Sequence, residues 1–393
     1  MFSRETNLSM FAQRLDNLPP YLFARIDELK AKKISEGVDV IDLGVGDPDL
    51  ATPDHIVDAL ITAAQNPDNH HYPSYLGMKP FREAVASWYQ NRFGVNVSPD
   101  TEVISLMGSK DGVHHLPEAF VNPGEYVLAP SPGYPVYRTG ALFSEALVHE
   151  MPLSAEHNFL PVFDDIPAEI RKKSKLMWLN YPNNPTSAIA PLSFYQEAIE
   201  FARENDIIIV SDNAYSEITY DGYVAPSYLE ADGAKEVGIE MHSLSKTYNM
   251  TGYRIGMAVG NPDIIRGLGI VKTNVDSGVY NPVQYAAIAA LTGPQDCVRK
   301  ACDIYQERRD ALVSGLKEIG FEIEAPKATF YVWLLVDDCM AFAQRMLDEV
   351  GIVVTPGLGF GDFGEGYVRF SLTRSVERIR EAVERMEQAG IDG

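Results

Sequence analysis

Residues able to do chemistry cluster where apolar runs of this sequence end. The tetrapeptide Ser243-Leu-Ser-Lys246 follows one such run, with Gly252-Tyr-Arg254 close behind. A lysine in that place can lose its hydration, which lowers its pKa and makes it a nucleophile toward an aldehyde. Hydroxyls one and three residues before it, and an arginine eight after, could surround a phosphate. Together they suit a phosphorylated aldehyde cofactor, pyridoxal 5′-phosphate (PLP), held by a Schiff base at one end and by charge at the other. An ordinary exposed lysine is the plainer alternative. Upstream, residues 207–211 lead into Asp212-Asn-Ala-Tyr215. A carboxylate there can pair with a pyridine nitrogen and make the ring an electron sink, while Tyr215 could donate to the ring phenolate. Capping of the next turn would also explain the aspartate. Asn180-Tyr-Pro-Asn-Asn184-Pro-Thr follows residues 176–179, and Asn184 offers an amide to the same ring oxygen. Gly108-Ser109-Lys110 sits between a strand and a helix, where free backbone N–H groups cradle phosphate.

Such groups need a sheet to position them. Strands expected at 40–43, 102–106, 125–129, 176–179, 207–211, 240–244 and 254–259 alternate with amphipathic stretches at 78–93, 109–121 and 191–205. That rhythm predicts an α/β fold around a largely parallel central sheet flanked by helices. Ligands then bind beyond the carboxyl ends of the strands, where Asp212 falls. The pattern changes near Pro294. A long helix over 295–319 precedes expected strands at 321–323, 329–336 and 367–372, a helix over 338–350 and a closing helix. The expected division is an N-terminal arm with part of the small domain (1–47), a large cofactor-binding domain (48–293) and a smaller α+β domain (294–393).

Composition narrows the function. Across 393 residues, 33 basic and 55 acidic side chains give a net charge of −22, which disfavours nucleic acid and anionic membrane surfaces. No apolar run approaches the ~18 residues of a membrane span. Cys297, Cys302 and Cys339 form no CxxC pair, fitting packing roles in a reducing cytoplasm. The first residues lack a secretory h-region, so a cytoplasmic protein is expected. Three motifs mislead. Gly359-Phe-Gly361-Asp-Phe-Gly364 fits GxGxxG but precedes a strand, not a helix, which argues against a dinucleotide site. Ser243–Lys246 and Ser211-Asp212-Asn213 match SxxK and SDN in the wrong order, with no KTG. The pairs His70-His71 and His114-His115 point apart and make no ready chelate, so no metal is expected.

The strings HYPSYLGMKPFREAV, GSKDG, SPGYPVY, NYPNNPT, SDNAYSEITYDG, HSLSKTYNMTGYRIGMAVGNP, DSGVYNPVQ, KATFYVW and GEGYVRFSLT resemble, in order, those of the fold-type I PLP-dependent aminotransferases of class I/II. Within them the sequence looks most like the LL-diaminopimelate aminotransferases. The resemblance implies that Lys246 bonds the cofactor and shuttles a proton, that Asp212 pairs with the pyridinium, and that Tyr215 and Asn184 hold the phenolate. It places Ser109, Lys110, Ser243, Ser245 and Arg254 around the phosphate, with Tyr134 stacked on the ring. Arg369 would grip the substrate α-carboxylate in a bidentate fork. Tyr21, Gly46, Lys110, Tyr134, Asn184 and Asn281 would also touch substrate. Tyr72, to phosphate, and Asn281 would reach across from a partner in a homodimer with shared sites. A cis Asn184–Pro185 bond is implied as well. Ser187 and Asn213 depart from the family's common glycine and alanine without removing a functional group. The implied reaction moves an amino group from glutamate to tetrahydrodipicolinate, giving LL-diaminopimelate for lysine synthesis. A broad aspartate, alanine or aromatic aminotransferase, or a PLP-dependent carbon–sulfur lyase, are the alternatives.

Overall fold

The β-branched and apolar runs do become strands. In the computed structural model, which describes residues 12–15, 18 and 22–393, they are β1 (Ile41–Asp42), β2 (Val103–Leu106), β3 (Tyr126–Ser131) and β4 (Leu147–Pro152). Next come β5 (Ser174–Leu179), β6 (Ile208–Asp212), β7 (Gly238–Ser243) and β8 (Gly256–Gly260). The last four are β9 (Tyr331–Leu335), β10 (Ile352–Val353), β11 (Thr355–Pro356) and β12 (Tyr367–Ser371).

Seven of them form one sheet in the order β2-β8-β7-β6-β5-β3-β4. β8 runs antiparallel to both β2 and β7, while the pairs from β7 through to β4 are parallel. Helices cover both faces, so the central strands are buried throughout and read as unbroken apolar runs instead of alternating ones. β4 has no counterpart among the expected strands. It is an edge strand whose Val148, His149 and Glu150 are only half buried, so its sequence, LVHEMP, lacks the apolar run that marks a central strand.

A second core gathers Ile41, Leu43, Tyr305, Leu312, Phe330, Val332, Ile352, Phe370 and Met386. β12 pairs antiparallel with β9 and β11, and β1 pairs in parallel with β10. The long helix Asp296–Glu318 and the closing helix Val376–Gln388 pack on this layer. The strand expected at 321–323 does not form. Phe321 buries its ring, but its segment lies between the left-handed Gly320 (φ +99°) and Pro326 and joins no ladder. The same core includes Tyr215, Ile218 and Tyr220, just past the end of β6, which brings the two cores together at one place.

Candidate active site

That meeting place is a cavity of about 340 Å³ beyond the carboxyl ends of the parallel strands, a size suited to a small molecule. Each strand end delivers one part. β6 closes on Asp212, and β7 runs into the single helical turn Leu244–Thr247 that carries Lys246. β5 leads into the turn bearing Asn184, whose bond to Pro185 is cis as the resemblance implies. β2 leads into the helix Ser109–Phe120, whose first N–H groups have no acceptor within the helix. Ser109, Lys110, Ser243, Ser245 and Arg254 line one end of the cavity; Gly46, Asn184 and Arg369 line it too, as do Tyr134, Asp212, Tyr215 and Lys246.

The electrostatics of this cavity are unusual for a protein interior. Burial lowers the Lys246 pKa to about 8, with Arg369 and Arg254 adding to the shift against the opposing charge of Asp47. The Lys246 ammonium donates to the Gly46 carbonyl at 2.8 Å. Gly46 has no room for a side chain, because a Cβ there would collide with the Tyr331 hydroxyl. Burial raises the Asp212 pKa to about 6, although the Tyr137 hydroxyl donates to its Oδ2 at 2.8 Å and the Ala214 N–H also pulls the other way. Asp212 Oδ1 has no hydrogen-bond partner. A buried carboxylate with one vacant oxygen is costly unless a ligand supplies the missing donor.

Arg369, on β12, is buried between the rings of Tyr331 and Phe360, with its guanidinium 4.2 and 4.6 Å from their centroids. It donates to Asn184 Oδ1 at 2.7 Å and to the Gly44 carbonyl at 2.8 Å, while its Nε is unpartnered. Because Asn184 spends Oδ1 on Arg369, its Nδ2 stays a donor. The Tyr215 and Tyr331 hydroxyls lie 2.9 Å apart.

Tyr137, Tyr331 and Phe360 were not singled out from the sequence. Tyr137 and Tyr331 fall inside SPGYPVY and KATFYVW, but nothing local marks a tyrosine as facing a carboxylate or an arginine 75 or 38 residues away. Phe360 belongs to the GxGxxG stretch, which forms two short 3₁₀ turns and leads into β12. Tyr72 and Asn281 do not line the cavity of their own chain. Tyr72 is 88% exposed, and Asn281 opens the helix Asn281–Thr292. Tyr21 lies outside the described residues.

A phosphorylated pyridine aldehyde fits these residues: cations and helix N–H groups, an unsatisfied carboxylate oxygen in the wall, and a desolvated amine in the same cavity. Comparison with known proteins points the same way. The aminotransferase class I and II model matches residues 38–386. The LL-diaminopimelate aminotransferase of Aquifex aeolicus is 55% identical over 380 residues, covering 96% of this chain and 98% of the relative. That of Desulforudis audaxviator is 53% identical over 378 residues, covering 95% and 96%. Among solved structures, substrate-bound BacF from Bacillus subtilis superposes with a TM-score of 0.94 at 38% identity, covering 98% of each chain. A probable N-succinyldiaminopimelate aminotransferase from Thermus thermophilus gives 0.88 at 35% identity, covering 94% of this chain and all of that one (100%). With this fold and a family match spanning both cores, the chain belongs to the class I and II aminotransferases.

Proposed function

We propose that this aminotransferase is PLP-dependent and transfers the amino group of glutamate to tetrahydrodipicolinate, forming LL-diaminopimelate. The observation that carries the cofactor is the juxtaposition of Lys246, its pKa brought down to about 8, with the vacant oxygen of Asp212 in one cavity. The substrate rests on identities of 50–55%, over 95% or more of the chain, to relatives named LL-diaminopimelate aminotransferase.

When bound, the cofactor ring stabilises negative charge at the substrate Cα by drawing it toward the pyridine nitrogen. The rest is work for this chain's own side chains. Asp212 would face that nitrogen and favour its protonated form, with Tyr137 holding Oδ2 and leaving Oδ1 to the ring. Tyr215 and Asn184 Nδ2 would donate to the phenolate oxygen. Ser109, Lys110, Ser243, Ser245 and Arg254 would hold the phosphate. Arg369 takes the α-carboxylate on one face, its plane fixed between two rings. The Lys246 amine, once free, removes the Cα proton; its depressed pKa keeps a neutral fraction available near pH 8. Lys110 also meets the distal acidic group of the substrate.

The same reading includes a homodimer in which Tyr72 and Asn281 complete the partner's cavity, consistent with their positions outside their own. It also includes a cytoplasmic location and domains dividing near residues 47 and 293. No helix among the described residues is long and apolar enough to cross a membrane.

The test is a panel of amino donors, including every diaminopimelate stereoisomer, supplied to purified enzyme with 2-oxoglutarate. LL-diaminopimelate should be consumed with a kcat/KM ~100-fold above aspartate or alanine. Equal or faster use of aspartate or alanine overturns the substrate assignment. Borohydride treatment that leaves the mass of the Lys246 peptide unchanged overturns the cofactor assignment.

A further inference from the structure

Behind the phosphate end of the cavity lies a charged cluster that the reaction does not use. Lys272, in the helix Pro262–Val275, is wholly buried. Its ammonium lies 2.5 Å from Asp111 Oδ2 and 2.8 Å from Asp276 Oδ2. His115 Nδ1 is 2.9 Å from the other oxygen of Asp111. Asp111, His115 and Asp276 bring ligand atoms within 4.8 Å of one another, as a metal site does, but the lysine ammonium supplies the positive charge between the two carboxylates.

Each carboxylate also grips a backbone group, and the two groups lead to different places. Asp111 Oδ2 accepts the Met107 N–H at 2.9 Å, which fixes the turn that presents Ser109 and Lys110 to the cavity. Asp276 Oδ1 accepts the Gly278 N–H at 2.7 Å, which fixes the loop that ends at Asn281. Gly278, at φ +83°, presses on the Ser74 carbonyl so closely that a Cβ would lie 2.7 Å from it. The loop therefore also braces the segment just after Tyr72. Tyr72 and Asn281 are the two described site residues that fail to line their own cavity.

A buried lysine is expensive to desolvate and holds its place only when directional, charge-assisted bonds compensate. Here those bonds run from one functional turn to another. We infer that Lys272 is a positioning residue, a built-in cation that ties the phosphate-facing turn of one subunit to the loop that the same subunit lends to its partner. The inference rests on the shared-site homodimer proposed above.

Co-purified heterodimers with differently tagged chains separate the two arms. One chain carries Lys246→Ala, so that only the other chain's cavity turns over. Lys272→Met is then placed on either chain, and LL-diaminopimelate consumption is followed while PLP or substrate is titrated. On the active chain it should raise the PLP concentration for half-maximal activity ~10-fold. On the inactive chain it should raise KM for LL-diaminopimelate ~10-fold through Asn281, with a smaller rise of about threefold in the PLP requirement through Tyr72. A lowered unfolding midpoint with neither constant moved beyond about twofold, in either arrangement, would reduce Lys272 to a packing role and overturn the inference. If Lys272→Met yields no folded dimer, Lys272→Met with Asp111→Asn and Asp276→Asn removes the stranded carboxylates and is read in the same way. A wild-type chain that sediments as an active monomer overturns the shared-site reading and the lending arm together. That result differs from failure of the tie alone, in which the dimer persists and both constants hold.

Discussion

Lys246 is part-buried and Lys272 wholly buried, and their surroundings are opposite. Lys246 meets one carbonyl, and its pKa falls to about 8; Lys272 meets two carboxylates. The same contrast recurs for acids. Asp212 on β6 and Glu240 on the adjacent β7 are both buried, with pKa values raised to about 6 and about 7 by burial. Asp212 Oδ1 has no donor. Glu240 accepts from Ser227 Oγ, the Tyr228 N–H and the Tyr89 hydroxyl at 2.8, 2.9 and 3.0 Å. Arg369 leaves Nε unpartnered, whereas Arg308 forks onto Asp49 at 2.7 and 2.8 Å and also reaches the Leu372 carbonyl. Burial and shifted pKa values are thus common to the cavity wall and the layer behind it. In these three pairs, what separates the charged group of the cavity wall from its counterpart behind is unmet hydrogen-bonding capacity on the charge itself, and that is what a ligand supplies.

If that division is sound, substitutions in the cavity wall should strike turnover, and those behind it should strike stability, except where a residue such as Lys272 holds a cavity-facing turn in place. The largest effect belongs to Lys246→Ala, which removes the proton carrier and should cut kcat by ~10⁴-fold or more; a residual rate within tenfold of wild type would move the chemistry elsewhere. Asp212→Asn keeps the shape but loses the charge facing the pyridine nitrogen. A fall of ~10³ in kcat is expected, about 4 kcal/mol of transition-state stabilisation, read from single-turnover rates. Arg369→Lys keeps a cation but not the fork, and should raise KM for all α-amino acids alike by ~10²-fold. A selective loss for diaminopimelate would instead place Arg369 at the distal end of the substrate.

Much of this division was legible in the sequence, and the remainder was not for physical reasons. Lys246, Asp212, Asn184 and Ser109 each follow an apolar run, and strand ends can be read from hydrophobic pattern. Partner deficits cannot. Whether the second oxygen of Asp212 is satisfied depends on Tyr137, which arrives from the helix Val136–Phe143 on another part of the sheet. Lys272 shows the converse. Its run, IIRGLGIVKTNV, gives a lysine on an amphipathic helix, ordinarily a solvated side chain, and only tertiary packing reveals the two aspartates around it. β4 was hidden because an edge strand need not be apolar on both faces, and β8 carries no local mark of running antiparallel.

Glu240 sharpens the comparison from the other side. Its folded pKa, about 7, exceeds the ordinary 4.5, so the native state holds a proton that the unfolded chain releases between those values. Its contribution to stability is therefore complete below about pH 4.5 and is lost as pH rises through about 7. Glu240→Gln cannot ionise, and the Tyr89 and Ser227 hydroxyls can turn to accept from its amide. Between pH 5 and pH 8 the wild type should lose about 2 kcal/mol relative to this variant in urea unfolding. Turnover of folded enzyme should stay within about threefold. A pH-independent difference would mean that Glu240 keeps one protonation state throughout.

The smallest effect tests the boundary itself. Ser187 stands where the family commonly has glycine, and its φ of +61° supplies the reason, because L side chains crowd the backbone there. The hydroxyl offsets this by bonding across to β9, 2.7 Å from Thr329 Oγ1 and 2.8 Å from the Tyr331 carbonyl. Ser187→Ala keeps the crowding and discards both bonds, so it should cost about 1–2 kcal/mol in urea unfolding. Ser187→Gly discards the same bonds but relieves the crowding, and should be more stable than the alanine variant by about 1 kcal/mol. That order is the diagnostic: alanine equal to or better than glycine would mean that the turn stores no strain. Neither variant should change KM by more than about twofold, since Ser187 acts between the Asn184 turn and β9 and does not line the cavity. A larger rise in KM at unchanged stability would show that the saturated layer also aims Asn184 and Tyr331, and the line between the two layers would have to be redrawn one shell further out.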